Sequence, residues 1–150
     1  QVAAVPIPPT PARPPRRLAT GAFIKSLGRT GLGELTIENG QAHDAVAVLT
    51  NMALTPQVSV YVRADDSYTI IGIADGVYRL FFSQGSDWDS QANRFTRDPT
   101  YFRFEEPFEF TTTGILGSRQ YTTWRVTLYS VHGGTADTTQ IGPGQFPGLR

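Results

Sequence analysis

SYTIIGIADGVYRLFFSQGSDWD, residues Ser67 to Asp89, is the stretch from which the rest of the chain can be read. Tyr68, Ile70, Ile71 and Ile73 form an aromatic, β-branched run, and Val77 to Phe82 form a second one. Between them stands Asp75-Gly76. Glycine accepts the positive φ that a tight turn demands, so the sequence predicts a β-hairpin closed at Asp75-Gly76. Behind it, Asp87-Trp88-Asp89 reads as an acidic, aromatic loop where a functional site could sit.

Working outward, the same two-residue period recurs. Leu35 and Ile37 alternate with Glu34, Thr36 and Glu38 before an Asn39-Gly40 turn; Val46 and Val48 lie within Asp44 to Thr50; Val58, Val60 and Val62 alternate with Ser59, Tyr61 and Arg63. A short strand is expected around Ala22 to Ser26. Gln91 to Pro99 reads as loop. Tyr101 to Thr112 is split by Pro107 into two strands, with Phe102, Phe104, Phe108 and Phe110 on one face. Gln120 to Val131 reads as the longest strand, with Trp124, Val126 and Leu128 inward and Arg125 and Thr127 outward. No helix of ten residues is written into the pattern. About seven to nine short strands at such spacing predict an all-β fold, a single antiparallel Greek-key β-sandwich. Its expected core is Leu35, Ile37, Val46, Val48, Val58, Val60, Val62, Leu80, Phe82, Phe104, Trp124, Val126 and Leu128.

The two ends differ from the middle. Residues 1–17, QVAAVPIPPTPARPPRR, hold six of the eleven prolines and form an extended arm; 18–131 is the sandwich domain; 132–150, rich in Gly, Pro and Thr, is an extended tail anchored by Ile141 and Phe146. In an extended arm Pro6 and Pro8 turn their missing donors to one side while Val5 and Ile7 keep their N–H groups on the other, so the arm can pair along one edge only.

Composition narrows the function classes. Thirteen basic and thirteen acidic side chains cancel, leaving no net field to attract nucleic acid. The absence of cysteine removes disulfides, thiolate catalysis and cysteine-zinc sites. No run of about 18 apolar residues is present to span a membrane. The chain begins with Gln rather than Met, as removal of a secretory signal peptide would leave it, although a cloning boundary or proteolysis would look the same. Together with the Thr-rich, Lys-poor composition, this predicts an extracellular or cell-surface location.

The segments Gly33-Glu34-Leu35-Thr36-Ile37, Asn39-Gly40, Ala45-Val46, Tyr68-Thr69-Ile70 and Gly72-Ile73-Ala74-Asp75-Gly76-Val77-Tyr78-Arg79-Leu80 together resemble the carboxypeptidase-regulatory or prealbumin-like (transthyretin-like) sandwiches. Ala74 stands where that family often has proline. The resemblance implies a seven-stranded Greek-key fold and a non-catalytic, secreted or surface-attached module.

Candidate chemistry is sparse. Asp87, Asp89, Gln91 and Asn93 place oxygens at alternate positions, but Ala92 and Asp98 occupy the places where a calcium loop requires Gly and Glu; Asp87 and Asp89 are the weak metal candidates. His43 and His132 lack a third ligand, and no Ser lies in a nucleophile elbow. The pairs Glu105-Glu106 and Asp65-Asp66 read as solvated charge. No cofactor and no catalytic residue are expected. Tyr61, Tyr101, Tyr121 and Tyr129 fall on the polar parity of their strands, so they are candidates for a subunit interface or a sugar-stacking platform. No N-x-S/T acceptor exists, so any glycan, on Thr10 or on Thr111 to Thr113, would be O-linked.

These readings converge on a non-enzymatic structural subunit of an extracellular filament or surface assembly. In it, the arm of one copy docks on the next in the manner of donor-strand pili, with Val2, Val5 and Ile7 over the neighbour's core and Pro6 and Pro8 turned outward, giving a head-to-tail homopolymer. The alternative is a monomeric extracellular ligand-binding module, most naturally for carbohydrate.

Overall fold

The structure, a computed structural model, describes residues 14–27, 29–115, 117–128 and 138–149. In chain order the strands are β1 (Phe23–Ser26), β2 (Gly33–Asn39), β3 (Asp44–Thr50), β4 (Pro56–Val62), β5 (Asp66–Ile73), β6 (Gly76–Asp89), β7 (Arg94–Phe104), β8 (Phe108–Phe110), β9 (Thr112–Ile115), β10 (Ser118–Tyr121), β11 (Thr123–Thr127) and β12 (Thr138–Ile141). The larger sheet runs β1-β4-β3-β6-β7-β12 with β8 attached to β6, the smaller runs β11-β2-β5, and β9 pairs with β10. The expected all-β sandwich is therefore present. It is not wholly antiparallel, because β11 lies parallel to β2.

Inward residues of the two sheets meet in one core: Leu35, Ile37, Ile70 and Ile73 from the smaller, Val58, Val60, Val62, Leu80, Phe82, Phe102 and Phe104 from the larger. Phe82 and Phe102 stack at 4.9 Å. Each such side chain contributes about 1.5–3 kcal/mol when withdrawn from water. Phe108 and Phe110 are buried with them, so all four phenylalanines around Pro107 share the inner face.

The stretch first read as a hairpin is instead a corner between sheets. β5 pairs with β2 in the smaller sheet, whereas β6 pairs with β3 and β7 in the larger. A period of two places Ile70, Ile73, Leu80 and Phe82 on an apolar face, but it does not say whether the two strands are neighbours in one sheet or face each other across the core. Gly72 at φ +81° and Gly76 at φ +156° let the chain change layer, and the Tyr78 hydroxyl donates to the Ala74 carbonyl at 2.7 Å across the bend.

The long hairpin lies further on. Asp87-Trp88-Asp89 is the end of β6 rather than a loop, and two thirds of the segment expected as loop, Gln91 to Pro99, belongs to β7. The turn is capped by Asp89, whose Oδ1 accepts from the amides of Gln91 and Ala92.

A second correction concerns the outer face of the larger sheet, which is buried too. Val46 and Val48 do not join the core between the sheets; they form a second cluster with Tyr61, Phe81, Trp88, Phe95 and Leu149, and Leu18, Ala22, Ile24, Ile141 and Phe146 pack against it. Residues 138–149 thus do not stand off as a tail. β12 extends the sheet beside β7, and the Ser59 hydroxyl donates to the Leu149 carbonyl at 2.9 Å.

The strand expected from Gln120 to Val131 is broken at Thr122. Before it, β10 belongs to the exposed β9–β10 hairpin; after it, β11 joins the smaller sheet; residues 129–137 lie outside the described ones. Trp124 has the expected parity, opposite Leu35, but the strand is at the sheet edge, and the indole remains 39% exposed with its ring edge-on to Phe108.

Candidate functional site

The predicted interface tyrosines do not form one surface. Tyr61 is fully buried, because the outer face of its sheet is covered; its ring meets Trp88 at 5.7 Å and Phe95 at 5.8 Å. Tyr101 is half-buried and held against Phe146 at 5.0 Å. Tyr121 is exposed, on the projecting β10. Tyr129 and the arm residues Val2, Val5, Pro6, Ile7 and Pro8 lie outside the described residues.

What the structure does bring together is the root of the arm and two carboxylates. Arg16 forks onto Asp87, with Nε to Oδ1 at 3.0 Å and a second guanidinium nitrogen to Oδ2 at 2.9 Å; its backbone amide donates to the same carboxylate at 3.1 Å, and its carbonyl accepts from the Trp88 amide at 2.9 Å. Thr96, across on β7, donates its hydroxyl to Asp87 as well. Arg17 forks onto Asp44 with both contacts at 2.7 Å, and Asp44 also accepts from the Tyr61 hydroxyl and the Ala64 amide. Arg63 continues the series, donating to the Leu18 carbonyl at 2.7 Å. Bidentate arginine–carboxylate pairs fix orientation as well as distance. The segment from Arg16 to Leu18 therefore crosses one end of the larger sheet, from β6 past β3 to β4.

The protonation states follow from these contacts. Burial pushes the Asp44 carboxyl up, but the bonds from Arg17, Tyr61 and Ala64 outweigh it and hold the group below its ordinary value. Burial, then the Asp44 charge, push the Tyr61 phenol far up. Arg16, then Thr96, hold Asp87 well below the usual carboxylate range. Asp87 and Asp89, the two weak metal candidates, thus direct their oxygens at protein donors, and no group of three or more metal-ligating side chains gathers among the described residues.

Thr111 and Thr112, two of the residues considered for O-linked glycan, are engaged: Thr111 exchanges hydrogen bonds with Thr122, and the Thr112 hydroxyl donates to Asp75 at 2.7 Å. Thr113 is exposed, and Thr10 lies outside the described residues.

A second feature is an open groove of about 590 Å³ along the outer edge of β7, between Arg94, Thr96, Pro99, Thr100 and Tyr101 on one side and Gln140 to Pro143 on the other. The sequence reading missed it because it joins a segment expected as loop to one expected as tail. It also missed the clamp. The only written signal for that was Arg16-Arg17, two adjacent cations closing a Pro-rich arm whose one other charged side chain is Arg13. Set against protein-family models, curated proteins and solved structures, the chain matches none of them, and the functional reading rests on this geometry.

Proposed function

We propose that the chain is a non-enzymatic structural subunit of an extracellular filament or surface assembly, and that its Pro-rich arm docks on a neighbouring copy to join subunits head to tail. The observation that carries this reading is the double clamp of Arg16 on Asp87 and Arg17 on Asp44. An arm needed only as a linker gains nothing from a rooted base. An arm that must reach a partner does, because a fixed point of departure lowers the entropy lost on docking. The resemblance to prealbumin-like modules, non-catalytic and often secreted, supports the same reading. The carbohydrate-binding alternative needed a platform of aromatic rings, and Tyr61, Tyr101 and Tyr121 are dispersed among a core, a packed contact and a hairpin.

Deleting Gln1 to Arg13 tests the proposal, because it removes the reach and keeps the clamp. Assembly followed by electron microscopy and sedimentation should be lost while the thermal midpoint of the subunit stays within a few degrees. Assemblies that persist unchanged refute the arm's role.

A further inference from the structure

We infer that the groove beside β7 is the seat of the arm, receiving Pro6 to Pro11 from a second copy. This rests on the arm-docking reading above and adds the surface on which the arm lands.

The edge itself is the first argument. β12 pairs with β7 from Tyr101 to Phe104, and among the described residues no strand lies along the outer edge of Arg94 to Thr100. A sheet edge along which no described strand runs can act as a template for another chain. This one is not built for a regular strand. Between the pairs Gln84 with Thr100 and Ser86 with Arg97, β7 carries one residue more than β6, and the irregularity holds Asp98 at φ +48° followed by Pro99. Such a bulge interrupts ladder pairing.

The chemistry of the groove suits a polyproline segment instead. Such a segment makes no internal hydrogen bonds, and its prolines have no donor to offer, so its carbonyls need donors and its rings need flat apolar walls. Tyr101, braced by Phe146, faces the groove with Pro99, Ile141 and Pro143, while Arg94 and Gln140 supply donors. The lengths agree. Pro6 to Pro11 in polyproline form span about 19 Å, and the seven residues Arg94 to Thr100 span roughly 20–23 Å as strand. Pro6 to Pro11, the segment that would be seated, contain no charged side chain, so they bring no like charge to Arg94. In polyproline form the thirteen residues before Pro14 would reach about 40 Å, enough to leave one domain and lie along the next.

The test uses the full chain with Ile7 replaced by the photoreactive p-benzoylphenylalanine. It is mixed with an equal amount of unmodified, isotopically heavy chain and irradiated. Light–heavy adducts at residues 94–101 or 140–143 are the expected result, and they should disappear when the heavy chain carries Thr100→Trp, which fills the groove. Light–heavy adducts on another surface overturn the groove and leave the arm's reach standing. Adducts confined to one chain, or no adduct between copies, overturn both.

Discussion

Asp44→Ala tests the clamp at its buried end. The carboxylate holds three donors, and each loss has a different size. The Tyr61 hydroxyl lies in a fully covered cluster, so without an acceptor it costs roughly 1–3 kcal/mol as an orphaned buried donor. The Arg17 side chain is 40% exposed and can return to water, so its share after solvent screening is about 1 kcal/mol or less. The Ala64 amide sits at a half-buried residue and recovers much of its loss by hydration. Together these predict a destabilisation of about 2–4 kcal/mol. At this chain length each kcal/mol lowers Tm by roughly 2–4 °C. Urea unfolding with an unchanged m-value measures the loss. The decisive comparison is the double variant Asp44→Ala/Tyr61→Phe. Removing the orphaned hydroxyl should restore about 1–2 kcal/mol, since deleting both partners of a buried bond costs less than deleting one. A single variant that loses under about 0.5 kcal/mol, or a double variant less stable than the single, refutes the reasoning.

Acid should weaken the same clamp: Asp44 and Asp87 have folded pKa values below the unfolded value, so their stabilisation is complete above about pH 5 and is lost as pH falls from about 4 through the lowered values, which amide exchange at Trp88, measured at each pH and corrected for the intrinsic rate, would follow. Trp88 is 2% exposed and Trp124 39%, so Trp124→Phe should leave only blue-shifted emission that acrylamide scarcely quenches; red-shifted residual emission would contradict the placement of Trp88. Gly33→Ala would put a Cβ 2.6 Å from the Phe110 ring and 2.8 Å from the Ile73 carbonyl, and overpacking of that kind should lower stability by about 1–3 kcal/mol in a denaturant titration.

Much of the fold was legible because burial on one face writes a period of two. Twelve of the thirteen expected core residues are buried, and Arg125 points to solvent as its parity required, but ten of the twelve face the core between the sheets: Val46 and Val48 lie on the opposite face of β3, whose inward residues are Ala45, Ala47 and Leu49. Partnership was not legible. Nothing in the run from Tyr68 to Phe82 distinguishes a hairpin from a corner, because the two arrangements bury the same residues. Two-sided burial was also hidden: in Asp44 to Thr50 the residues Ala45, Ala47 and Leu49 are as apolar as Val46 and Val48, a continuous run that marks a central strand covered on both faces. Tyr61 looked exposed because the cover for its face comes from Leu18 to Ile24 and from Ile141 to Leu149, segments remote in sequence and individually unremarkable. For the same reason neither the clamp nor the groove could be read in advance.

The second apolar cluster has a consequence in time. The core between the sheets is complete with residues 35–128, but the outer face of the larger sheet closes only when Leu18 to Ile24 and Leu149 are both in place, and the Ser59–Leu149 bond joins residues 90 apart. Contacts of such long range form late, after the loop entropy between them has been lost. During synthesis this chain therefore keeps the outer face of β3, β4 and β6 open until residue 149 has emerged, although every partner of the Arg16 and Arg17 clamp is in place by residue 96.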